Sequence, residues 1–324
     1  MKYRQLRASY PPPVFELRVK TALAQLVLGT PVPLPRSLMV RMREYIESML
    51  LAENLPPIPC HIAMLLDSFA KLAHLSEEGK PFLYKKRHTV SLLFNVWALQ
   101  SEMAIDAPDD LVLGYTQSMM GFLLFKSAPE TIGMIGLGGG SLAKFCYRYL
   151  PGASISVAEI DPRVIALRDH FHIPKDDARL QVQCIDGAAF VQQAVDAFDV
   201  LMVDGFDVHG QPPQLCTQRF YNGCYRALKP GGVMVINLLG DVAENRIYLE
   251  RLRTAFNGKV LMIEALDSLN KIAFASKGDS LDLGEYSLRR RIRLLESRHP
   301  LFLGLTAQSI LLARRQYSSA PGCQ

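Results

Sequence analysis

Two neighbouring stretches decide the fold: Thr131-Ile-Gly-Met-Ile-Gly-Leu-Gly-Gly-Gly-Ser-Leu142 and Ile155-Ser-Val-Ala-Glu-Ile-Asp161. The first is an apolar run that ends in glycines and leads into a helical pattern, with the glycines at Gly136, Gly138, Gly139 and Gly140. The second is an apolar run that ends in Glu159, 23 residues after Gly136. A nucleoside-binding β-α-β unit has this order, because glycines let the backbone approach the ligand and the acid accepts hydrogen bonds from the ribose hydroxyls.

Length and composition bound the class of protein. The 324 residues suit one large domain, or one domain with a smaller companion, and the apolar content of 49% suits a globular core. A net charge of +5 is too modest to indicate a nucleic-acid partner. The sequence shows no apolar run long enough to span a membrane and no secretory signal, so we expect a cytoplasmic protein without a membrane partner.

The six cysteines show no C-x-x-C pair and no regular spacing. Most of them lie inside apolar patterns, which favours buried free thiols in a reducing compartment over disulfides. We therefore expect no metal site.

The chain divides into four predicted segments. Residues 1–80 form a helical extension, 81–127 a small antiparallel β region, 128–280 the nucleoside-binding catalytic domain, and 281–324 a basic helical tail. Alternating strand and helix patterns in the third segment predict an α/β protein with a doubly wound, Rossmann-like, mostly parallel sheet. We interpret the extension as a helical cap or a dimerisation surface, and the arginines of the tail as a solvated helix face.

Periodicity and turn residues give the predicted elements. The extension carries helices at Val14–Leu28, Arg36–Leu51 and Ile62–Leu75. The β region carries strands at Phe82–Tyr84, Thr89–Phe94, Trp97–Leu99 and Leu111–Tyr115, then a helix over Gln117–Phe125. The catalytic domain carries strands at Ile132–Ile135, Ile155–Glu159, Leu180–Ile185, Val200–Val203, Val233–Leu238, Val260–Glu264 and Ile272–Ala275. Its helices are expected at Ser141–Tyr149, Pro162–His170, Ala188–Ala194, Thr217–Leu228 and Ala243–Ala255, with a tight turn over Lys229-Pro-Gly-Gly232.

Acidic residues follow three successive strands of the predicted sheet. Glu159 ends the second strand, Asp186 follows the third, and Asp204 follows the fourth, with Asp207 three residues later. Singly, Asp186 could belong to a simple turn and Asp204 could cap the next segment. Because the carboxyl ends of parallel strands form one edge of a sheet, the coincidence favours a ligand site there.

The loop Val203-Asp-Gly-Phe-Asp-Val-His-Gly-Gln-Pro-Pro213 suits a cationic substrate. One of its two carboxylates can anchor an ammonium group, and the other can accept a proton from an attacking amine. We interpret His209 as an exposed loop histidine rather than a second base.

With these residues in place, the chain resembles the spermidine synthase family, the aminopropyltransferases on a class I methyltransferase-like fold. The resemblance extends from about Thr89 to Leu238. It implies that decarboxylated S-adenosylmethionine or S-adenosylmethionine binds as co-substrate against Gly136, Gly138 and Gly140. It also implies roles for four matching positions in binding the nucleoside: Gln100 contacts it, Glu159 binds the ribose, and the pair Asp186 and Gly187 contacts the adenine.

The resemblance implies a second set of residues for the amine. Tyr115, in Leu113-Gly-Tyr-Thr-Gln117, matches a tyrosine that orients the amine. Asp204 matches the proposed general base, and Asp207 matches an acid that helps to hold the amine substrate. Family members are commonly oligomeric, so the resemblance also suggests a homo-oligomer.

The chain departs from the family pattern at two site positions. Gly139 stands where the family's glycine loop usually carries an aspartate, which is expected to grip the aminopropyl ammonium of decarboxylated S-adenosylmethionine. Thr116 stands where a histidine usually follows the tyrosine. The 80 N-terminal residues also depart from the family, whose β region usually starts near the N-terminus.

The leading hypothesis is a transferase that moves an aminopropyl group to an amine (polyamine) acceptor by in-line displacement. Gly139 keeps open a methyltransferase that uses intact S-adenosylmethionine, since losing a carboxylate there removes repulsion toward the ligand's own carboxylate. The helical extension and the two departures keep open a non-catalytic nucleoside-binding or scaffold protein. A dehydrogenase is weaker, because hydride transfer does not need the acid-rich loop at Asp204.

Overall fold

The computed structural model describes residues 80–94, 99–207, 210–239, 242–265 and 270–318. The three helices predicted for the N-terminal extension lie outside the described residues, and so does His209. The chain forms two compact units, Met1–Tyr84 with Leu93–Leu99, and Lys85–Leu92 with Gln100–Gln324. Every candidate site residue belongs to the second unit.

A seven-stranded sheet forms the centre of the second unit, as an α/β protein of this class requires. Its strands are β4 (Thr131–Ile135), β5 (Ser154–Glu159), β6 (Leu180–Cys184), β7 (Phe198–Val203), β8 (Leu228–Leu238), β9 (Val260–Glu264) and β10 (Lys271–Ser276). Their order is β6-β5-β4-β7-β8-β10-β9, and only β10 runs antiparallel to its neighbours β8 and β9. All seven strands predicted for this sheet are confirmed.

The order of the strands fixes where a ligand can bind. β4 pairs in parallel with β5 on one side and with β7 on the other, so the chain leaves β4 in one direction and later returns to its opposite edge. This is the topological switch point of a doubly wound sheet, where a crevice opens outside the carboxyl ends of the strands. All six residues of β7 are buried, as expected for a strand covered on both faces.

Eight α-helices lie in the described residues. They are α1 (Gly114–Met119), α2 (Ser141–Tyr149), α3 (Pro162–Ala166), α4 (Gly187–Gln193), α5 (Gln218–Ala227), α6 (Val242–Ala255), α7 (Glu285–Glu296) and α8 (Leu303–Ser318). Side chains of Asp161, Asp186 and Thr217 cap α3, α4 and α5 by accepting hydrogen bonds from backbone N–H groups in the first turn. Two predicted helices differ in detail, because 3-10 turns replace part of them at Met120–Leu124 and Arg168–Phe171.

Three further strands precede the large sheet: β1 (Phe82–Lys85), β2 (Thr89–Leu93) and β3 (Leu99–Ala104), in the order β1-β2-β3. They correspond to the small antiparallel sheet that the sequence predicts. The strand expected at Trp97–Leu99 instead begins at Leu99, and Trp97 lies outside the described residues.

The strand predicted over Leu111–Tyr115 is wrong. Helix α1 begins at Gly114, and both the backbone N–H and the hydroxyl of Thr116 donate to the carbonyl of Leu113, at 3.0 and 2.5 Å. Thr116, Ser118 and Met119 are buried, so the segment packs one helical face inward. Five residues are too few for a sequence pattern to separate the two periodicities.

The tight turn predicted over residues 229–232 lies inside strand β8 instead of before it. Phe198 pairs with Leu228 and Val200 pairs with Val233, so four residues bulge out of β8 opposite Asp199 without reversing the strand. Gly231 adopts a left-handed φ of 74° within this bulge. The Pro-Gly-Gly sequence therefore permits a local irregularity in a continuous strand.

The remaining expectations about organisation stay predictions, including the four-segment division and the homo-oligomer. Residues 285–318 contain two helices, of which α8 packs against β9 at the edge of the sheet. Across the described ranges, no helix is both long and apolar enough to cross a membrane.

Candidate active site

The glycine loop between β4 and α2 forms the floor of the crevice. Gly136, Gly138 and Gly140 have φ values of 92°, 52° and 68°, in the region that residues with a side chain rarely adopt. At Gly136 a Cβ would lie 2.2 Å from the carbonyl oxygen of Asp204, so only glycine lets the end of β4 pass this close to the end of β7. The loop thereby comes into direct contact with the segment that carries the candidate base.

Glu159 joins the glycine loop from the other side. Its Oε2 accepts a hydrogen bond from the backbone N–H of Leu137 at 2.9 Å, and its Oε1 accepts one from Asp161 N–H at 2.9 Å. The residue is only 8% exposed, and this burial raises the pKa of its carboxyl, although the backbone N–H groups partly oppose the shift. Each carboxylate oxygen has a second lone pair, so hydrogen bonds to a ribose remain possible beside those to the loop.

Asp186 serves as the N-cap of α4. Its Oδ1 accepts hydrogen bonds from the N–H groups of Ala188 and Ala189 at 2.9 and 3.0 Å. The sequence had left such a capping role open for Asp204. Oδ2 takes no part in this cap and lies 3.5 Å from Nε2 of Gln214. Gly187 is buried, and a Cβ there would lie 2.4 Å from Cγ2 of Ile135, so it allows α4 to start directly against β4.

Asp204 is the centre of a hydrogen-bonded network that joins three distant segments. Tyr115 Oη donates to its Oδ2 at 3.2 Å, and Asn237 Nδ2 donates to its Oδ1 at 2.8 Å. Asn270 Nδ2 in turn donates to Oδ1 of Asn237 at 2.8 Å. Burial raises the pKa of the Asp204 carboxyl, and the bonds from Asn237 and Tyr115 oppose that shift. A carboxylate with a raised pKa and a fixed orientation is suited to accept a proton.

Sequence reasoning missed Asn237 and Asn270. Asn237 is 2% exposed, at the carboxyl end of β8. The available signal was one polar residue inside the apolar run Val233–Leu238, because a buried amide in such a strand needs a partner. Asn270 offers no comparable signal, since it lies in a connection between two strands.

Asp207 lies in the loop after β7. Its backbone forms a two-way hydrogen-bonded bridge with Gly210, with N···O distances of 2.8 and 3.3 Å. The carboxylate is partly exposed, three residues beyond Asp204. The structure therefore places both acids of this loop at the carboxyl edge of the sheet.

Gln100 lies on β3, beside Ser101, whose hydroxyl oxygen is 3.4 Å from that of Ser141 at the start of α2. This contact brings β3 to the glycine loop. Thr116, at the position of the family histidine, is 3% exposed. Its hydroxyl donates a hydrogen bond to the carbonyl oxygen of Leu113 and so stabilises the start of α1.

Lys144 on α2 is a further residue that sequence reasoning missed. It is 1% exposed, and its ammonium donates to the carbonyl oxygens of Pro108 at 2.6 Å and Phe171 at 2.7 Å. Burial lowers the pKa of Lys144 to about 8. In the part of the chain that the structure describes, no group of three or more His, Cys, Asp or Glu side chains is placed to hold a metal ion.

Comparison with known proteins identifies the family of the chain. Residues 113–258 match the model of the spermine/spermidine synthase domain. A polyamine aminopropyltransferase of Chromobacterium violaceum is 39% identical over 232 residues, covering 71% of this chain and 85% of the relative.

Solved structures share the fold. A spermidine synthase in complex with the transition-state analogue AdoDATO superposes with a TM-score of 0.57 at 19% identity, covering 74% of this chain and 87% of that one. Human methyltransferase-like protein 13 in complex with SAH gives a TM-score of 0.50 at 22% identity, covering 65% and 95%. These likenesses establish a methyltransferase-type fold, which enzymes of both kinds use. On the sequence match to the aminopropyltransferases, the chain belongs to the spermine/spermidine synthase family of transferases.

Proposed function

We propose that this protein transfers an aminopropyl group from decarboxylated S-adenosylmethionine to a small amine, in the manner of the polyamine aminopropyltransferases that it resembles. The observation that carries the proposal is the placement of Asp204. It follows the strand next to β4, it is bonded to Tyr115 and Asn237, and its backbone touches the glycine loop. Glu159 holds the other side of the same loop.

The nucleoside would occupy the crevice at the carboxyl ends of β4, β5 and β6. Glu159 at the end of β5 would accept hydrogen bonds from the ribose hydroxyls, and Asp186 with Gly187 after β6 would contact the adenine. Gly136, Gly138 and Gly140 would let the backbone approach the ligand, and Gln100 would contact it from β3. The positions of these residues along one sheet edge support the assignment.

The reaction would be a displacement at the carbon next to the sulfonium. A nitrogen–carbon bond forms, the carbon–sulfur bond breaks, and its electron pair stays on sulfur, so the leaving thioether is neutral and needs no acid. The attacking amine must lose a proton, which Asp204 accepts. Tyr115, already bonded to Oδ2 of Asp204, would orient the amine, and Asp207 would hold a distal ammonium. Positioning of nitrogen and carbon about 3 Å apart in line would supply most of the rate.

The raised pKa of Asp204 has a direct consequence for this step. A more basic carboxylate removes a proton from an ammonium or an attacking amine with less free-energy cost than an ordinary aspartate does. Burial therefore contributes to the chemistry, provided that the pH is high enough to keep Asp204 ionised.

The test is an aminopropyl-transfer assay on the purified full chain, with decarboxylated S-adenosylmethionine and a linear diamine, detecting the thioether nucleoside and the alkylated amine. We expect Asp204→Asn to lower turnover strongly while the calorimetric affinity for the nucleoside stays near that of the wild type. Asp196→Asn is the matched control, because Asp196 is exposed and pairs with Lys277 at the surface. Glu159→Ala should weaken nucleoside binding itself.

Other outcomes would redirect the proposal. Unchanged turnover in Asp204→Asn would remove this residue from the role of base. Alkylation by intact S-adenosylmethionine, with methyl transfer and no aminopropyl product, would move the assignment to a methyltransferase. Absence of any transfer together with tight nucleoside binding would favour a binding or scaffold protein, against the enzyme class of its family.

A further inference from the structure

A polar pocket opens between helices α4 and α5. It has a volume of about 460 Å³ and is lined by Gln192, Arg219, Asn222, Gly223 and Arg226. The four lining residues of α5 are spaced at i, i+3, i+4 and i+7, so they share one face of that helix. Helix α4 begins at the crevice, where Asp186 caps it, and Gln192 lies near its other end. The pocket is therefore separate from the candidate active site.

Gln192 holds both arginines of the pocket. Arg219 Nη2 donates to its Oε1 at 3.3 Å, and Arg226 Nη2 donates to its backbone carbonyl oxygen at 2.8 Å. The bond from Arg226 also covers a carbonyl in the last turn of α4, where the partial negative charge of the helix end would otherwise repel an anion. A guanidinium carries five N–H donors in a planar fork, so each arginine keeps donors for a ligand.

The side-chain oxygens of the pocket already accept hydrogen bonds. Oε1 of Gln192 accepts from Arg219, and Oδ1 of Asn222 accepts from Nε2 of Gln218 at 2.9 Å. A second bond fixes the orientation of the Gln218 amide, because the same Nε2 lies 3.1 Å from the carbonyl oxygen of Arg251. Gln218 therefore presents N–H to Asn222, and the atom of Asn222 that faces it is the oxygen. The lining side chains thus leave mainly N–H donors for a ligand.

The positive charge of the pocket is not neutralised by the described part of the chain. Neither Arg219 nor Arg226 forms an ion pair with a described carboxylate. Asp196 comes close, because its backbone N–H donates to the carbonyl oxygen of Arg226 at 3.0 Å, but its carboxylate pairs with Lys277 at 2.6 Å. Two cationic forks in one concave surface without a carboxylate favour an anionic ligand.

We propose that this pocket binds the phosphate group of a small molecule. At neutral pH a phosphate group carries about −1.5 to −2 charges and three strong acceptor oxygens, which match two guanidinium forks. A single carboxylate carries one charge and would leave one arginine unpaired. Inorganic phosphate and a phosphate monoester share the chemistry that the pocket recognises. The site lies outside the proposed transfer reaction and does not depend on it.

Calorimetric titration of the full chain at constant ionic strength tests the site, with inorganic phosphate, glycerol 3-phosphate and acetate as probes. We expect a dissociation constant of about 1 mM or tighter for one or both phosphates, and binding of acetate that is about tenfold weaker or more. Tighter binding of glycerol 3-phosphate indicates a monoester as the ligand, and tighter binding of inorganic phosphate indicates the free ion.

Two variants locate the binding in this pocket. The double variant Arg219→Gln, Arg226→Gln should weaken phosphate binding by about tenfold or more. Its matched control is Arg246→Gln, Arg290→Gln, which removes the same charge from exposed arginines of α6 and α7 and should keep the wild-type affinity. Because Arg226 also covers the end of α4, the second variant is Arg219→Glu, which leaves that bond in place and puts a negative charge in the pocket. Arg246→Glu is the control for this variant.

Phosphate binding that is lost in the pocket variants and kept in both controls supports the site. Four results would overturn it: no binding of either phosphate by the wild type at about 10 mM, acetate binding as tightly as phosphate, wild-type affinity in a folded Arg219→Glu variant, or an equal loss in the variants and their controls. An equal loss would show that net charge alone attracts the anion.

Discussion

Burial raises the pKa of the proposed base, Asp204, and the hydrogen bond from Asn237 opposes that rise. Asn237 Nδ2 lies 2.8 Å from Asp204 Oδ1 and donates to the charged carboxylate, so it lowers a pKa that burial raises. Asn237→Leu removes this donor with little change in volume. A hydrogen bond to a charged group is worth about 1.5–3 kcal/mol, which corresponds to about one to two pKa units.

The sign follows from which form the bond stabilises. Losing the donor raises the pKa of Asp204, so a larger fraction of the enzyme is protonated and unable to accept a proton at any given pH below the new pKa. The acid limb of kcat/KM against pH should therefore move upward by about one to two units, while the rate well above that pH recovers. Because the amine's own titration is the same in every variant, only the limb of the enzyme moves.

The assay is aminopropyl transfer measured from about pH 5 to pH 10 for the wild type, Asn237→Leu and Asn222→Leu. Asn222 is an exposed residue of α5 and provides the matched control. Tyr115→Phe removes the other donor to Asp204 and should move the limb in the same direction. An Asn237→Leu profile that is lowered equally at all pH values, with its acid limb in place, would refute the reasoning, because it would show general damage to the site.

Three further predictions concern stability. Burial raises the pKa of Asp204 in the folded state, so stability should fall as the pH rises from the pKa of the unfolded state through that of the folded state. Asp204→Asn should remove this fall and raise the thermal unfolding midpoint at neutral pH. A lower midpoint would contradict the prediction. Burial raises the pKa of Asp199, but Lys126 and the backbone N–H groups outweigh it and lower the pKa to about 2, so Asp199→Asn should cost about 2 kcal/mol of unfolding free energy at pH 7. This loss of unfolding free energy should vanish as the pH falls from about 4 to about 2. Denaturant unfolding of wild type and variant at pH 7 and at about pH 2 checks this, and an equal difference at both pH values would contradict it. Gly136→Ala should abolish nucleoside binding or folding, whereas Gly152→Ala, which meets no atom within 4 Å, should change neither; a stable, ligand-binding Gly136→Ala would disprove the close approach to Asp204.

The sequence by itself determined which residues lie at the sheet edge where we propose that the nucleoside binds. Strands that are covered on both faces are continuous apolar runs, and the glycines and Glu159 come at the ends of two such runs, so chain order alone places them at one sheet edge. The errors fell where the local pattern is short or ambiguous. Leu111–Tyr115 has too few residues to distinguish a strand from a helix, and the Pro-Gly-Gly at residues 230–232 marks a bulge as readily as a turn.

Only the tertiary structure decided how Asp204 is held and which side chains surround the glycine loop. Tyr115 reaches Asp204 across 89 residues, and Asn237 reaches it across 33. Ser101 and Phe171 meet at Gly139 from segments on opposite sides of it in the chain. Periodicity reports which way each side chain points along its own element, but the meeting of side chains from different elements depends on strand order, register and loop paths, which are set by packing of the whole sheet.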